Sequence, residues 1–351
     1  MSSASSVAEL RETSLRQASL PPSAVAAASL AAVLVTLLLF ATTGFGGTAD
    51  FLVVAVLLIV VGVTATSWIV EGRRKAVDRL ATNVALVALV LTLLPLGFVV
   101  GYVVKEGMHR FGWSFLTSDA SAGPLVPGGG VAHAILGTLE QVALASAIAV
   151  PLGLLVAIFI TEYGNNRFAT AVRFLIDVMT GIPSIVAGLF VLAFWLIALN
   201  QSYSGFAGSI ALSIIELPII VRTAEEMIRL VPAALREASY ALGISKWKTV
   251  LRIVVPTAAT GITTGVMLAV ARVVGETAPI LLVVGSNNYF HSNPFSGAQG
   301  SLPVYIFQNA QSSQTFDVQR AWAAALTLIL VVVVLYVAAR LLTRRNNLAG
   351  R

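Results

Sequence analysis

The chain reads as a succession of apolar runs about twenty residues long, each set off from the next by a polar or basic stretch. No other feature constrains the fold as strongly. Roughly 20 apolar residues is the length at which an α-helix crosses about 30 Å of hydrocarbon. Eight runs qualify, at about 24–43, 51–70, 84–104, 138–160, 174–199, 205–221, 258–285 and 321–342. Helix is expected over strand in each, because a helix satisfies its own backbone hydrogen bonds in lipid. Only 11% of the 351 residues are charged and the mean hydropathy is +0.89. Soluble domains carry about 25% charged residues, so a large water-facing surface is excluded. The expected fold class is all-α, a polytopic transmembrane helical bundle.

The distribution of basic residues orients that bundle. With the N-terminus in the cytoplasm and eight alternating spans, 18 of the 22 Lys and Arg residues fall inside. Lys105, Arg110 and Arg320 fall outside, and Arg272 lies within a span. This is the positive-inside pattern, and it accounts for the net charge of +6 without nucleic acid. The arm before the first run carries Glu9 and Glu12 beside Arg11 and Arg16, and the run itself is long. It reads as an anchor rather than a cleaved leader. There is no cysteine, and His109, His133 and His291 are widely spaced. Disulfides, thiolate chemistry and a side-chain metal site are not expected. Two outer loops are long, 105–137 and 286–320; either is a plain connection or a surface for an external partner.

The stretch "EASYALGISKWKTVLRIVVP", Glu237 to Pro256, is amphipathic and basic in a chain that is otherwise apolar. Upstream, "RTAEEMIRLVPAALREASYAL" has helical spacing with a break at Pro232. Gly243 permits a tight turn. Ser245 is positioned as an N-cap, and Pro256 is expected to interrupt the helix as the next span begins. The outcome is helix, glycine turn and short helix at the cytoplasmic surface. Two readings fit: an interfacial helix lying on lipid, or a helix that docks in the groove of a partner.

Ionisable residues inside spans are functional candidates. Here they are Glu140, Asp177, Glu216, Arg272 and Glu276. Glu140 and Asp177 fall near span ends and are expected to be solvated. Arg272 is expected near mid-membrane, where insertion costs about 2.5–3.5 kcal/mol. Glu276 follows it by one helical turn and can share its face. A buried guanidinium is a fork for a tetrahedral oxyanion, while an ion pair that locks helices together is the other reading. Pro183 is expected to kink its span, as a hinge or as tolerated packing. "GITTG" at 261–265 is a GxxxG element that permits close helix approach. No Gly-x4-Gly-Lys-Ser/Thr phosphate loop occurs, so the chain carries no nucleotide motor of that type.

The spacing Glu237-Ala238-Ser239-x3-Gly243-x9-Ile253-x-x-Pro256 resembles the cytoplasmic loop of permease subunits of bacterial ATP-binding-cassette importers, with Ser239 and Val255 as departures. "GGGVAHAILGTL" (128–139), "GIPSIVAGLF" (181–190), "ELPIIVRTAEE" (216–226) and "LAVARVVGETAPILLVVG" (268–285) resemble the PstA-type permease of the phosphate importer. The resemblance covers about 84–345 and implies a type I ABC importer permease core of six spans. It leaves 1–23 as a cytoplasmic tail, 24–83 as an extra transmembrane hairpin with a basic loop, and 346–351 as a C-terminal tail. It implies that Arg222, Arg272 and Glu276 line the path of phosphate. Arg222 is also read as a plain topology signal at the inner end of its span. It further implies that the loop 222–256 couples, through Glu237, Ala238, Ser239, Gly243, Ile253 and Pro256, to a separate ATPase.

The implied partners are a second, PstC-like phosphate permease, a dimer of PstB-like ATP-binding subunits, an external PstS-like phosphate-binding protein, and membrane lipid. No catalytic residue, metal or cofactor belongs to the chain itself, since ATP is bound by the partner. The implied location is the bacterial inner membrane, multi-pass, with both termini cytoplasmic. The alternatives are a permease for sulfate or molybdate, an ion-driven secondary transporter, and an intramembrane enzyme, which lacks a nucleophile or metal constellation.

Overall fold

The computed structural model describes residues 19–43, 47–123 and 125–349, the side chains of residues 49 and 342–349 excepted. Glu9, Glu12, Arg11, Arg16 and Arg351, together with most of the expected N-terminal tail, lie outside the described residues. All regular structure among the described residues is helical. The chain divides into two compact units, Met1–Gly101 and Tyr102–Arg351.

In the first unit, α1 (Pro22–Thr43) and α2 (Thr48–Glu71) pack on each other, with Phe40 and Phe51 meeting edge to face. A third helix, α3 (Arg73–Met108), starts one residue after α2. Glu71 ties the entry and exit of this hairpin together. Its carboxylate accepts the Leu20 backbone N–H at 2.7 Å, the Ser67 hydroxyl at 2.6 Å, and Arg79 Nε and Nη2 at 2.6 and 2.9 Å.

The second unit is built on α5 (Ala132–Ile158) and α8 (Gly205–Arg229), which share its largest helix–helix contact. Between them in sequence lie α6 (Arg167–Gly181) and α7 (Ser184–Val191). After α8 come α9 (Ala233–Ala241), α10 (Lys246–Thr249) and α11 (Val255–Val274). The chain closes with α12 (Ala278–Val283), α13 (Leu302–Ala310) and α14 (Thr315–Ala349); a short α4 (Trp113–Thr117) precedes α5. Local chemistry starts several of these helices. Asn166 Oδ1 accepts the Ala169 N–H at 2.8 Å to cap α6, and Ser204 Oγ accepts the Ala207 N–H at 3.2 Å to cap α8. The core around Val142, Leu212 and Val273 is rich in valine, with Ala145, Ala207 and Ala211 as the small side chains that let α5 and α8 approach closely. The GxxxG glycines act within the chain: Gly261 lies against Met227 and Gly265 against Thr223 of α8, leaving no room for a Cβ.

Among the described residues, seven helices are long and apolar enough to cross a membrane, or eight counting one bent pair as a span. Three expectations are corrected. The run 174–199 bends at Pro183 as expected, but so sharply that it divides into two helices, α6 and α7 meeting at 104° across Ile182 and Pro183. Proline deprives the ladder of a donor and forces its predecessor into extended backbone. The run 258–285 also breaks, at Gly275–Thr277, so Arg272 belongs to the last turn of α11 rather than to the middle of a span. Lastly, Pro256 does not interrupt. A π-helical turn at Val250–Val254 precedes it, and the helix runs on from Lys246 to Val274. The proline is the second residue past that π turn, inside the continuous helix. Two further π turns, Phe159–Tyr163 and Leu192–Ala198, extend α5 and α7.

Candidate functional site

The bend between α6 and α7 opens a cleft of about 190 Å³. Met179, Ile182 and Pro183 line one side, and Ile214, Ile215, Pro218 and Ile219 of α8 line another. Among these apolar walls there is one charged side chain, Arg272. Its Nε lies 3.8 Å from Glu276 Oε1, long for a hydrogen bond, and it makes no other polar contact among the described residues. The arginine side chain is 63% exposed and the glutamate 18%. Ser184, the first residue of α7, lines the same cleft. The positive end of the α7 dipole thus adjoins the space that Arg272 enters. Glu276 occupies the non-helical link between α11 and α12, held by its N–H to Val273 O at 3.2 Å.

Arg222 follows Pro218 by one turn of α8 but does not line the cleft. It pairs with Asp177 of α6, and its Nη1 donates to Glu225 Oε2 at 3.1 Å. Glu225, buried at 3% exposure, also accepts Arg173 Nε at 3.3 Å and Arg229 Nη2 at 2.5 Å. Three guanidinium groups converge on one carboxylate. From sequence, Arg173 and Arg229 stood only as topology signals, and Arg222 as a topology signal or a lining of the phosphate path. The i, i+3 and i+4 spacing of Arg222, Glu225 and Arg229 was the available sign of a network. Asp177 is solvated as expected, at 57% exposure, whereas Glu216 is fully buried and takes the Ser146 hydroxyl at 2.9 Å across the α5–α8 contact. Glu140 accepts the Gln299 side-chain amide.

The loop after α8 has the expected helix–turn–helix shape. Pro232 opens α9, and Gly243 turns the chain at φ +73°, a conformation that favours glycine. Ser245 stands at the N-cap of α10, but its side chain makes no capping bond. Glu237 and Ala238 are exposed, as are Leu242, Trp247, Lys248, Arg252 and Pro256, while Ile253 is half-buried. Ser239 differs from the other residues expected at a docking face. It is buried, and its hydroxyl meets that of Thr249 at 2.8 Å, bracing α9 against α10. Arg236, which sequence reasoning also missed, donates to Glu162 at 3.1 and 2.7 Å, and to the carbonyls of Val231 at 2.6 Å and Ile228 at 3.0 Å.

Residues 149–347 match the model of the binding-protein-dependent transport system inner membrane component. The chain belongs to this family. A phosphate transport system permease protein PstA 1 of Mycobacterium tuberculosis is 43% identical over 283 residues, covering 79% of this chain and 92% of the relative. PstA proteins of Xylella fastidiosa and Yersinia pestis are 36% identical, each over 79% of this chain and 96% and 93% of their own length. Among solved structures, the fold is similar to the MetNI methionine ABC transporter in inward-facing conformations. That match has a TM-score of 0.50 and 19% identity, over 62% of this chain and 94% of that one. A bacterial ABC transporter involved in import of the acidic polysaccharide alginate gives a TM-score of 0.52 and 18% identity, over 78% and 99%. The family resemblance seen in the sequence therefore holds, and the fold is that of type I ABC importer permeases. This is a multi-pass membrane transport component.

Proposed function

We propose that the chain is a transmembrane subunit of an ATP-driven importer of inorganic phosphate. The observation that carries this reading is Arg272, an under-coordinated guanidinium in an apolar cleft, in a chain whose relatives are named phosphate transport permeases. A guanidinium presents N–H groups in a planar fork that matches two oxygens of a tetrahedral anion. The α7 N-terminus adds partial positive charge and unpaired N–H groups. Glu276 has the opposite role. At 3.8 Å it occupies Arg272 loosely between passages and repels the anion once bound, so that binding stays weak enough for release.

In this reading the cleft is half of a path completed by a second, PstC-like permease, and an external PstS-like binding protein delivers phosphate to it. The exposed face of the loop 222–256, with Glu237, Ala238, Gly243, Ile253 and Pro256, docks on a dimer of PstB-like ATP-binding subunits. ATP is bound there, and this chain needs no cofactor or metal of its own. The break at Ile182–Pro183 is the hinge that lets α6 and α7 change angle as the path opens to either side. Both termini lie in the cytoplasm of a bacterial inner membrane, with Arg222 on the inner side of the cleft.

The test is uptake of labelled phosphate by proteoliposomes holding all four kinds of subunit, with and without ATP, in competition with sulfate and molybdate. Uptake that requires ATP, resists both competitors and collapses in Arg272→Ala supports the reading. Uptake driven by an ion gradient alone, or abolished by sulfate or molybdate, rejects it.

A further inference from the structure

Two adjacent residues at the end of α5 hold both arms of the 222–256 loop. Glu162 takes Arg236 of α9, and the Tyr163 ring lies 4.8 Å beneath Lys246 Nζ of α10. Glu162 is 6% exposed and Arg236 19%, so this is a largely desolvated pair rather than a surface contact. The remaining Arg236 bonds reach Ile228 and Val231. Those carbonyls stand before the extended Pro232, at the joint where α8 gives way to α9. One guanidinium therefore spans the joint and fastens it to a third helix.

The bonded chain continues from there. Two residues before Glu162, the Ile160 carbonyl accepts Arg173 of α6. Arg173 donates to Glu225, which takes Arg222, and Arg222 pairs with Asp177, again on α6. Beyond Asp177, α6 carries Met179 and Thr180 into the wall of the cleft. Polar contacts thus run from the exposed loop to the segment that bends at Ile182–Pro183. The chain itself passes from α8 to the loop through Leu230–Pro232, a short non-helical link that, without Arg236 across it, can absorb a tilt of α9 by turning its own φ and ψ.

We infer that Glu162 and Arg236 are positioning residues for transport, which convert displacement of the docked loop into displacement of α6 at the cleft instead of rotation at Pro232. The inference rests on the phosphate-importer reading and extends it. Neither residue touches substrate or nucleotide, so their contribution is to the yield of transport per ATP. If the pair is released, the loop still docks and ATP is still hydrolysed, but the cleft follows less often.

The experiment uses the full complex in proteoliposomes and measures phosphate moved per ATP hydrolysed, with copurification of the ATPase as a separate readout. Glu162→Gln preserves shape and removes the charge. It is expected to lower the ratio roughly 2- to 30-fold, the range for coupling carried between sites, with the ATPase still copurifying. The chain contains no cysteine, so Glu162→Cys with Arg236→Cys supplies its only thiols. Joining them with a short bifunctional maleimide is expected to restore the ratio, which stays low while they are unjoined. A merely structural pair lowers uptake and ATP consumption together and leaves the ratio unchanged; that result overturns the inference. Loss of ATPase copurification in Glu162→Gln also overturns it, by reducing the pair to a shaper of the docking surface. A wild-type complex whose uptake ignores ATP rejects the importer reading, and this inference with it.

Discussion

Arg272 and Glu225 are opposite solutions to one problem, a charge held in a largely apolar bundle. Glu225 is buried and saturated, with three arginines from α6 and α8 sharing its two oxygens. Arg272 is open to the cleft and its single partner stands at 3.8 Å. A saturated charge holds helices in place. An unsaturated one retains affinity for whatever enters the space in front of it. The two groups belong to the same unit, so the contrast separates a charge spent on holding helices from one left free to engage a ligand.

The contrast breaks most severely at Glu225. Glu225→Ala leaves three guanidinium groups around a vacated carboxylate, and breaking a buried pair costs about 3–5 kcal/mol. The arginines retain access to water, so the lower end, about 3 kcal/mol, is expected in denaturant unfolding of the detergent-solubilised chain. Uptake should fall only as far as folded protein falls. Arg272→Ala should do the reverse. Charge-assisted hydrogen bonds are worth about 1.5–3 kcal/mol each, which corresponds to uptake lowered by roughly 10- to 100-fold at an unchanged unfolding midpoint. An equal loss of stability at Arg272 would place it with Glu225 as a helix lock.

Arg272→Lys sharpens the comparison. It keeps the charge and loses the fork, so an intermediate defect of about tenfold in uptake is expected if bidentate geometry matters. A variant indistinguishable from wild type would reduce Arg272 to a point charge. The smallest effect belongs to Asp177→Asn. At 57% exposure, its pair with Arg222 is expected to contribute at most about 1 kcal/mol to unfolding. A larger loss would move Asp177 from the solvated edge into the same brace as Glu225.

What the sequence made legible follows what hydropathy measures. Runs of apolar residues report contact with lipid, so the helical class and the places of the apolar helices could be read directly, though several helices overrun their apolar stretch, as Arg73–Met108 does 84–104. Residues with special backbone preferences were legible too: Pro183 marked a break, Pro232 the start of α9, and Gly243 a turn at φ +73°. Hydropathy carries no direction, however, and 174–199 looks the same whether it runs straight or bends by 104°. The limit of α11 at Val274 was hidden for the same reason, because Ala278–Gly285 continues the apolar run beyond a break set by the backbone at Gly275–Thr277. At the site, Arg272 and Glu276 stood out because charge is rare in a span. Glu162, Arg173, Glu225 and Arg236 did not, because the two arginines already had an explanation in topology and the two glutamates fall beyond the ends of the runs 138–160 and 205–221, where charge is ordinary. Their partners come from other helices, and only packing brings them together.

The π turn at Val250–Val254 has a consequence for the direction of everything after it. Each residue of an α-helix advances the azimuth by about 100°, and a π turn holds one residue more than an α turn. Wound as a regular α-helix, the same five residues of 250–254 would overrun that turn by one residue. Every later side chain of α11 would then swing by about 100° around the axis. Gly261 and Gly265 would leave Met227 and Thr223, and Arg272 would turn from the cleft. The compass bearing of Arg272 is therefore set at the opposite end of its helix, beside the exposed loop that precedes it.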